Sequence, residues 1–338
     1  MQPAFLSVVT SEAPVIKPTA TSTGRRTTLA NWIASADNPL TARVYVNRVW
    51  AQYFDRGIVE TVSDFGKAGT KPSNPELLDY LASNFVKNGW SVKNLHREIL
   101  LSSVYRQSSD PREEVLKADV DNRLLGVFPR KRLEAEEVRD SLLAASGKLE
   151  EKFGGPAVFP PIPSALTPGE SVFDGNRLWT VSADPKDHNR RSVYVFVRRS
   201  VPYPLLDVFN APNPQLVHSK REVTTSPLQA LSLFNSDVVF SWSQSLAGRV
   251  LREAGNNESA QIDRLYQLLY ARNPDKQEKA SLLTFLDTQE KLIRDKDTNG
   301  TFALNVPKDA KVQNPVRAAA FVDLVHTAVN ANEFIYRF

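Results

Sequence analysis

The chain has 338 residues, of which 41% are hydrophobic and 24% charged, with no cysteine and a formal net charge of +4. This composition is typical of a soluble globular protein rather than a disordered or fibrous one. The lack of cysteine excludes disulfides, thiolate metal sites and cysteine nucleophiles within these residues. No apolar run approaches the roughly 18 residues that a membrane-spanning helix needs, so no membrane span is predicted.

The net positive charge lies in one part of the chain. Residues 185–222 contain seven lysines and arginines against three acidic residues, whereas the rest of the chain holds 35 of each. A local positive field favours anionic partners. The alternative is that these arginines pair with carboxylates from other helices. A nucleic-acid partner is not predicted, because the remaining sequence offers neither a broad basic surface nor an aromatic stacking platform.

The first half of the chain predicts a series of helices. Residues 1–24 are interpreted as a short strand or edge segment and then a linker from a preceding domain, and residues 25–338 as one large domain. Asparagine followed by proline marks helix starts at Asn38 and Asn74, since asparagine caps a helix and proline suits its first turn. The predicted helical segments are LANWIAS, LTARVYVNRVWAQYF, PELLDYLASNFVKN, VKNLHREILLSSVYRQ and LEAEEVRDSLLAASG.

The second half contains two irregular segments, a strand and further helices. Residues 154–188 form a loop with six prolines, and residues 295–314 form a charged linker. Loops of such length are usually functional or disordered. The run SVYVFV (residues 192–197) has the composition of a strand that is buried on both faces, and its predicted pairing partner is the N-terminal segment or the proline-rich loop. The predicted helices are PLQALSLFN, VVFSWSQSLAGRVLREAG, residues 260–272, residues 274–294 and PVRAAAFVDLVHTAVNANEFIYRF.

Together these elements predict a mainly α fold. Helical hairpins are expected to pack around a small, short-stranded β element, with long proline-rich loops between them. His326 lies among valines of the last helix and is therefore predicted to be a core histidine.

The stretch from Asn189 to Asn235 is the predicted functional centre. It carries basic residues on both sides of the predicted strand and a His-Ser-Lys-Arg-Glu run just before a helix. The N-terminal end of a helix favours an anion. Candidate residues for binding a phosphate, sulfate or carboxylate are therefore Arg190, Arg191, Arg221 and His188. The alternative is that Glu222 satisfies this helix end.

The sequence contains no recognisable catalytic motif such as a P-loop, a nucleophile elbow or an HExxH zinc motif. If the chain is an enzyme, the catalytic candidates are Asp207, His218 and Glu222, because carboxylates and imidazoles perform acid–base chemistry. No metal site is predicted. Grouping His188 or His218 with nearby carboxylates rests on spacing alone, and aspartate and histidine are also common in turns.

Two polar residues stand out in the helix LTARVYVNRVWAQYF. Arg43 and Asn47 share a face that also carries large apolar residues, where polar groups are unfavourable unless they are hydrogen-bonded. Both residues are candidates for a ligand contact. The alternative is an internal strut that ties this helix to a neighbouring loop.

A series of segments runs in order through nearly the whole chain. They are GRRTTLANWIASADNPLTARVYVNRVWAQYF, GIVETVSDFG, PELLDYLASNF with GWSVKNLHREILLSSVYRQSS, NRLL with RLEAEEVRDSLLAASGKL, GGPAVFPP, RRSVYVFVRRSVPYPLLDVFNAPNPQ, REVTTSPLQALSLFN and NANEFIYRF. From about Gly24 to Phe338, this combination resembles the planctomycete-type C-terminal domain of unknown function 1553.

The resemblance implies an exported, multidomain setting in the periplasm or at the cell surface. Members of this family are usually large proteins with an upstream cytochrome c domain and a second domain of unknown function. The chain is then expected to be a C-terminal fragment, which accounts for the lack of signal-peptide features in MQPAFLSVV. The upstream domains are the implied partners. Any haem is expected on an upstream domain, and no cofactor is expected within this chain.

Two residues depart from the family pattern. Asp55 stands where the family usually has glycine, and Asn74 stands where a histidine before proline is common. If that histidine were a ligand or a catalytic group, this chain would lack it. The family brings no established activity.

These observations lead us to expect a binding or scaffolding module of an exported, cytochrome-linked protein, with an anionic glycan as the proposed ligand. One alternative is a hydrolase acting on polysaccharide or its anionic groups, which requires Asp207, His218 and Glu222 to converge on one accessible pocket, with Arg190 and Arg191 as anion clamps. A second alternative is a docking surface for a haem electron-transfer domain, with binding that weakens as salt rises.

Overall fold

The structure is a computed structural model. It describes residues 3–110, 112–163, 172–173, 176–177, 179–296 and 303–337. About 50% of the chain is helical, in thirteen α-helices within this described part, and the strands are two residues long. The fold is therefore mainly α with a small β element, as predicted. Parts of the proline-rich loop and of the charged linker lie outside the described residues.

The chain divides into two compact units, one that extends to Lys131 and one from Arg132 to Arg337. Each unit has its own cluster of buried apolar side chains. The interpretation of residues 25–338 as one large domain stays a prediction. Across all the described residues, no helix combines the length and the apolar character that a bilayer crossing requires.

The first unit is built on three packed helices. α2 contacts both α3 and α4, which also contact each other. Their shared core includes Val46, Phe54, Leu81 and Ile99. The helices of this unit are α1 (Arg25–Ile33), α2 (Thr41–Phe54), α3 (Pro75–Lys87), α4 (Val92–Leu101) and α5 (Glu113–Ala118).

The start of α3 follows directly from its sequence. The side chain of Asn74 accepts a hydrogen bond from the backbone N of Leu77 at 3.0 Å, and Pro75 occupies the first helical position. Leu78 and Leu81 then fall on one buried stripe, because residues three and four apart share a helix face. Asn74 thus serves as a helix cap at the position where a histidine is common in the family.

Asp55 ends α2 in a left-handed backbone conformation, with φ of 60°. Glycine adopts this conformation without steric cost, whereas only a few other residue types, aspartate among them, enter it routinely. This backbone geometry suits the glycine that the family resemblance leads us to expect here. Aspartate keeps the same turn.

Two sequence-based expectations for this unit are wrong. The fourth helix is predicted to continue to Gln107, but α4 ends at Leu101. The hydroxyl of Ser102 donates to the carbonyl O of Ile99 at 2.6 Å and accepts from the backbone N of Tyr105 at 3.2 Å. Such local bonds compete with helix continuation. The short strand predicted near the N-terminus is absent from residues 3–24, which are turns and irregular backbone.

The second unit is built around α9 and α12, which pack against each other and against α10; α12 also packs against α11. His326 on α12 is buried, and its Nε2 and Nδ1 hydrogen-bond with the carbonyl O of Phe234 at 2.9 Å and with Oγ of Ser243 at 3.1 Å. The prediction of a core histidine is confirmed. The helices are α6 (Ala135–Ala145), α7 (Pro204–Val208), α8 (Pro227–Asn235), α9 (Asp237–Ala254), α10 (Glu258–Tyr270), α11 (Lys276–Lys296), α12 (Pro315–Val329) and α13 (Asn332–Ile335).

The β element is small. β2 and β3 pair antiparallel within the proline-rich loop, with Val172 opposite Arg177. Near β4, the backbone N of Leu133 donates to the carbonyl O of Ile335 at 2.8 Å, so residues from the start and the end of this unit lie side by side. The strands are β1 (Lys131–Arg132), β2 (Val172–Phe173), β3 (Asn176–Arg177) and β4 (Tyr336–Arg337).

The strand predicted over residues 192–197 is wrong. Ser192–Tyr194 form a short 3-10 helix instead, and Val195 makes only an isolated bridge. Val193 and Val197 are exposed, so the segment is not buried on both faces.

The isolated bridge does join this segment to the proline-rich loop, which is one of the two partners predicted for it. The backbone N of Val158 donates to the carbonyl O of Tyr194 at 2.8 Å, and the N of Phe196 donates to the carbonyl O of Val158 at 2.9 Å. The rings of Phe159 and Phe196 stack with centroids 4.7 Å apart. The loop is therefore held by backbone and ring contacts rather than by a regular sheet.

An ion-pair cluster links three segments of the second unit. The guanidinium of Arg272 donates two hydrogen bonds to Glu278, at 2.8 and 2.6 Å, and two to Glu333, at 2.6 and 2.8 Å. The hydrogen bond from Arg272 lowers the pKa of Glu278 to about 2, against the opposing effect of burial and with help from the backbone N of Asp275.

We expect this cluster to make the second unit less stable in acid. The folded-state pKa of Glu278 is depressed, so its contribution is fully present above its ordinary value of 4.5 and is lost as the pH falls through about 2. Since the pair is partly exposed, the contribution is about 1 kcal/mol. Denaturant unfolding between about pH 6 and pH 2 should show this loss in the wild type and less of it in Glu278→Gln.

The matched control is Glu151→Gln, which changes an exposed glutamate of the same unit. It should keep the wild-type dependence on pH. An identical loss of stability in the wild type and in Glu278→Gln would contradict the prediction.

Candidate functional site

A buried arginine on α6 organises the backbone of the predicted functional centre. Nη1 of Arg139 donates to the carbonyl O of Arg190 at 2.8 Å and to Oγ of Ser192 at 3.2 Å, and its Nη2 donates to the carbonyl O of His188 at 2.7 Å. The next residue on α6, Asp140, accepts a hydrogen bond from the backbone N of Ser192 at 2.7 Å. These side chains take up backbone groups that a strand would need for its ladder. The predicted strand therefore gives way to a turn.

Arg190 is buried and reaches into the loop that precedes it. Its Nη1 donates to the carbonyl O of Pro156 at 3.1 Å, and its Nη2 donates to those of Lys152, at 3.2 Å, and Gly154. The guanidinium carbon lies 3.8 Å from the centroid of the Tyr194 ring. Both terminal nitrogens of Arg190 thus hold the loop, and a ligand role for this residue stays a prediction.

Arg221 pairs with carboxylates of α6 and its N-cap. Its Nη1 and Nη2 donate to the two carboxylate oxygens of Glu136 at 2.6 and 3.0 Å, and its Nε lies 3.0 Å from Oε2 of Glu134. The hydrogen bond to Glu136 raises the pKa of Arg221. Burial alone would raise the pKa of Glu136, but the hydrogen bond from Arg221 and the charge beside it lower it. This is the carboxylate pairing that the sequence left open as an alternative.

The other candidate ligand residues of this stretch lie nearer to solvent. Arg191 is 64% exposed, and its Nε lies 3.2 Å from Oδ2 of Asp140. Nε2 of His188 hydrogen-bonds with the carbonyl O of Ser182 at 2.7 Å. Residues 185–222, which carry the excess positive charge, form the basic stretch of the chain. Its exposed cations include Lys186, Arg191 and Arg199.

The three catalytic candidates are not joined to one another. Asp207 and Glu222 are exposed, and Nε2 of the exposed His218 hydrogen-bonds with the carbonyl O of Asn213 at 3.2 Å. Within the described residues, no hydrogen bond or ion pair connects any two of the three. The same part of the chain contains no group of three or more histidine or carboxylate side chains placed to hold a metal ion. The hydrolase alternative stays a prediction, and its three candidate residues do not hydrogen-bond to one another in a common site.

Arg43 and Asn47, in the first unit, both contact neighbouring segments. Nε of Arg43 donates to Oδ1 of Asp79 at 2.8 Å, and its Nη1 donates to the carbonyl O of Pro39 at 2.7 Å. Asn47 is fully buried; its Nδ2 donates to the carbonyl O of Val59 at 2.9 Å, and its Oδ1 accepts from the N of Val59 at 2.8 Å. These contacts form the strut between helix and loop that the sequence offered as the alternative.

A groove of about 660 Å³ lies beside α7 and α8. Leu205 and Val208 line it from α7, Leu228 and Leu231 line it from α8, and residues 161–163 complete the wall. Leu228 is 66% exposed and Leu231 is 52% exposed. The volume falls within the range of ligand-binding pockets, roughly 300–1,000 Å³. The groove is therefore our candidate functional site.

The sequence of α8 explains why leucines face this groove. Ser226 and Gln229 form a capping box that starts the helix, in which each side chain accepts from the backbone N of the other. Leu233 is buried in the core and fixes the rotation of the helix. Leu228 and Leu231 lie on the other side of the helix, where they line the groove.

The groove carries little charge. Its polar lining consists mainly of Ser232, Asn235, Ser236 and Asp237, and Asp237 is the one charged side chain among the described residues that line it. An apolar wall with one acidic group at its edge does not favour an anion. It suits an apolar segment that carries a basic group at one end.

Our reading of the sequence missed this groove. One feature of the sequence could have indicated it. The helix PLQALSLFN is apolar on more than one face, whereas an ordinary surface helix is apolar on one face only. Leu233 is buried, whereas Leu228, Leu231 and Phe234 are exposed. The sequence of one helix cannot tell which of its apolar residues meet the core, because many apolar side chains of folded proteins stay on the surface.

The chain is a mainly helical protein, and its described residues combine a ligand-sized apolar groove with several buried arginines. It belongs to the PSD1 family, described as protein of unknown function (DUF1553), whose model matches residues 25–286. The resemblance to domain of unknown function 1553 is confirmed over that range, whereas the planctomycete type and the association with cytochrome c domains stay predictions. The comparisons with curated proteins and with solved structures give no match.

Proposed function

We propose that this chain is a binding module that holds an apolar protein segment in the groove beside α7 and α8. The observation that carries this proposal is the exposure of Leu228 and Leu231 on the wall of a concavity of ligand size. Large apolar side chains that cluster in a concave surface are typical of interaction sites.

The lining defines the chemistry of the occupant. Leucine, valine and proline side chains favour aliphatic or aromatic anchors, and Asp237 at the edge favours a lysine or arginine at one end of the segment. Helical and extended peptides both bind in such grooves through a few apolar anchors. The expected occupant is therefore an apolar peptide segment with a basic end.

We further propose that this segment belongs to an upstream domain of the same exported polypeptide. The family resemblance leads us to expect a cytochrome c domain and a second domain of unknown function there, and a periplasmic or cell-surface location. In this setting the module serves as a scaffold that positions a neighbouring domain. A segment on a separate protein is the other outcome of the test.

The test uses a phage-displayed library of random 12-residue peptides, selected on the full chain. We expect enrichment of peptides with aliphatic or aromatic residues next to a lysine or arginine. In fluorescence anisotropy, Leu231→Glu should weaken binding of the selected peptides at least about tenfold, because it places a charge on the apolar wall. Leu292→Glu is the matched control, since Leu292 on α11 is 47% exposed and lies outside the groove.

Asp237→Asn should lower affinity by about threefold and remove the preference for a basic end, in keeping with one exposed charge pair. Equal loss of binding in Leu231→Glu and Leu292→Glu would contradict the groove proposal. So would a library that yields no binding peptide.

An anionic glycan is a second candidate ligand, and it depends on different side chains. The supporting observation is that Lys186, Arg191 and Arg199 are exposed within the basic stretch, which also exposes Val193 and Val197. Calorimetry with sulfated and carboxylated glycans should then show binding that weakens with salt. Arg199→Gln should reduce it, whereas Leu231→Glu should not. No binding across the panel would overturn this candidate and leave the groove proposal in place.

Docking of a haem domain would use the same exposed cations. Its partner would be a folded cytochrome c domain instead of a glycan, and its affinity would likewise fall as the salt concentration rises. The hydrolase alternative has less support, because Asp207, His218 and Glu222 form no joint site in the described residues.

A further inference from the structure

Arg132 is a buried cation that has no counter-charge among the residues that the structure describes. It is 4% exposed, and its Nη2 donates to Oδ1 of Asn210 at 3.0 Å. Its Nε and Nη1 are buried and have no hydrogen-bond partner. No carboxylate among the described residues forms an ion pair with it, and the closest aromatic contact is the ring of Phe209, at 5.3 Å from the guanidinium carbon.

The surroundings of Arg132 are rich in donors and poor in acceptors. Oδ1 of Asn210 is approached by four donors: Nη2 of Arg132, the backbone N of Thr224 at 3.3 Å, Oγ1 of Thr224 at 2.9 Å and Nε2 of Gln229 at 3.3 Å. An amide oxygen has two lone pairs. Four donors therefore compete for one acceptor, while two nitrogens of the arginine, which carry three N–H groups, have none.

The other arginines of this unit are paired differently. Nε of Arg139 and Nε of Arg190 are also buried without a partner, but both terminal nitrogens of each donate to backbone carbonyls. The half-buried Arg221 pairs with two carboxylates. Only a well-paired or well-solvated charge is tolerated inside a protein, because desolvation of an isolated ion is very unfavourable. Burial accordingly lowers the pKa of Arg132, opposed in part by Tyr336. Arginine nevertheless stays protonated in proteins.

We propose that Arg132 marks a buried binding site for a small monovalent anion, such as chloride, beside Asn210 and Thr224. The anion accepts from Nη1 of Arg132, the terminal nitrogen without a partner, and supplies the negative charge that the described residues do not. Its size follows from the burial of the arginine, since a bulky anion would have to displace packed side chains. This site stands apart from the proposed groove, whose one charged lining residue is acidic, and it has the opposite preference for charge.

The test compares chloride with gluconate, an anion too large for a buried site, at constant ionic strength and with the full chain. Raising chloride to about one hundred times its dissociation constant should raise the melting temperature of the wild type by about 4 °C. Arg191→Gln, which changes an exposed arginine, should keep this response. Arg132→Gln should lose it.

Asn210→Asp keeps the proposal testable even where Arg132→Gln does not fold. It places a carboxylate within hydrogen-bond distance of Nη2 of Arg132 at nearly constant volume. In gluconate this variant should melt about as high as the wild type does in chloride, and added chloride should shift it by less than about 1 °C. Equal melting temperatures of the wild type in the two salts would overturn the site. A full chloride response in Asn210→Asp would also overturn it, since the anion would then bind elsewhere.

Discussion

Arg139→Met should destabilise the second unit by about 4 kcal/mol, because it leaves two buried carbonyls and a buried hydroxyl without their donor. Arg139 is fully buried and donates to the carbonyl oxygens of His188 and Arg190 and to Oγ of Ser192. Its guanidinium also lies over the ring of Trp242, at 5.9 Å. Methionine fills much of the volume and replaces none of these bonds.

The measurement is denaturant unfolding followed by circular dichroism and by tryptophan fluorescence, which reports on Trp242 among other tryptophans. Arg139→Lys should recover only part of the loss, because an ammonium group lacks the planar fork that reaches several acceptors. Arg191→Met is the matched control on the segment that Arg139 holds, and its exposed ion pair is worth about 0.5 kcal/mol. Equal effects of Arg139→Met and Arg191→Met would contradict the assigned role.

Asn47→Ala should cost the first unit about 3 kcal/mol. The amide of Asn47 forms a two-bond pair with the backbone of Val59, at 2.9 and 2.8 Å, inside the core of that unit. Alanine leaves a buried N–H and a buried carbonyl unsatisfied and opens a small cavity. The higher helix propensity of alanine offsets only a few tenths of a kcal/mol.

Asn94→Ala is the control for this variant, because Asn94 is an exposed asparagine on α4 of the same unit. It should stay within about 0.5 kcal/mol of the wild type in denaturant unfolding. Since the chain has two compact units, probes in each should be followed separately. A loss from Asn47→Ala no larger than that from Asn94→Ala would show that Val59 finds other partners.

Several arginines of the second unit bind groups of the chain itself rather than a ligand. Arg139 and Arg190 hold backbone turns, and Arg221 joins the segment before α8 to α6. A cluster of positive charge in the sequence therefore serves mainly as a scaffold here. Arg132 differs from these arginines in that a terminal nitrogen, Nη1, is also buried without a hydrogen-bond partner, and this is the reason that we infer an anion beside it.

Local sequence rules were sufficient for most helices. Asn74 with Pro75 and Ser226 with Pro227 mark helix starts that the structure confirms. These signals work because a cap satisfies backbone groups within one turn, so no distant residue is needed. The sequence predicts a fourth helix that is longer than the observed α4. Its local pattern does not reveal that the hydroxyl of Ser102 bonds to the carbonyl O of Ile99 and ends the helix.

Residues 192–197 show where such rules fail. Their composition favours a strand, yet side chains about fifty positions away in the sequence hold the start of this segment. Arg139 donates to Oγ of Ser192 and to the carbonyl O of Arg190, and Asp140 accepts from the backbone N of Ser192. The same limit applies to Arg190 and Arg221. Whether a guanidinium faces a ligand or a carbonyl depends on segments that are distant in sequence.

The sequence by itself determined the helical class, the helix caps, the family and the location of the excess charge, because each depends on composition or on residues a few positions apart. Only the tertiary structure decided which leucines of α8 stay exposed, which arginines are internal and that no described residue supplies Arg132 with a counter-charge. Those properties depend on how surfaces from separate segments cover one another. The groove beside α7 and α8 exists for the same reason, since three separate parts of the chain form its wall.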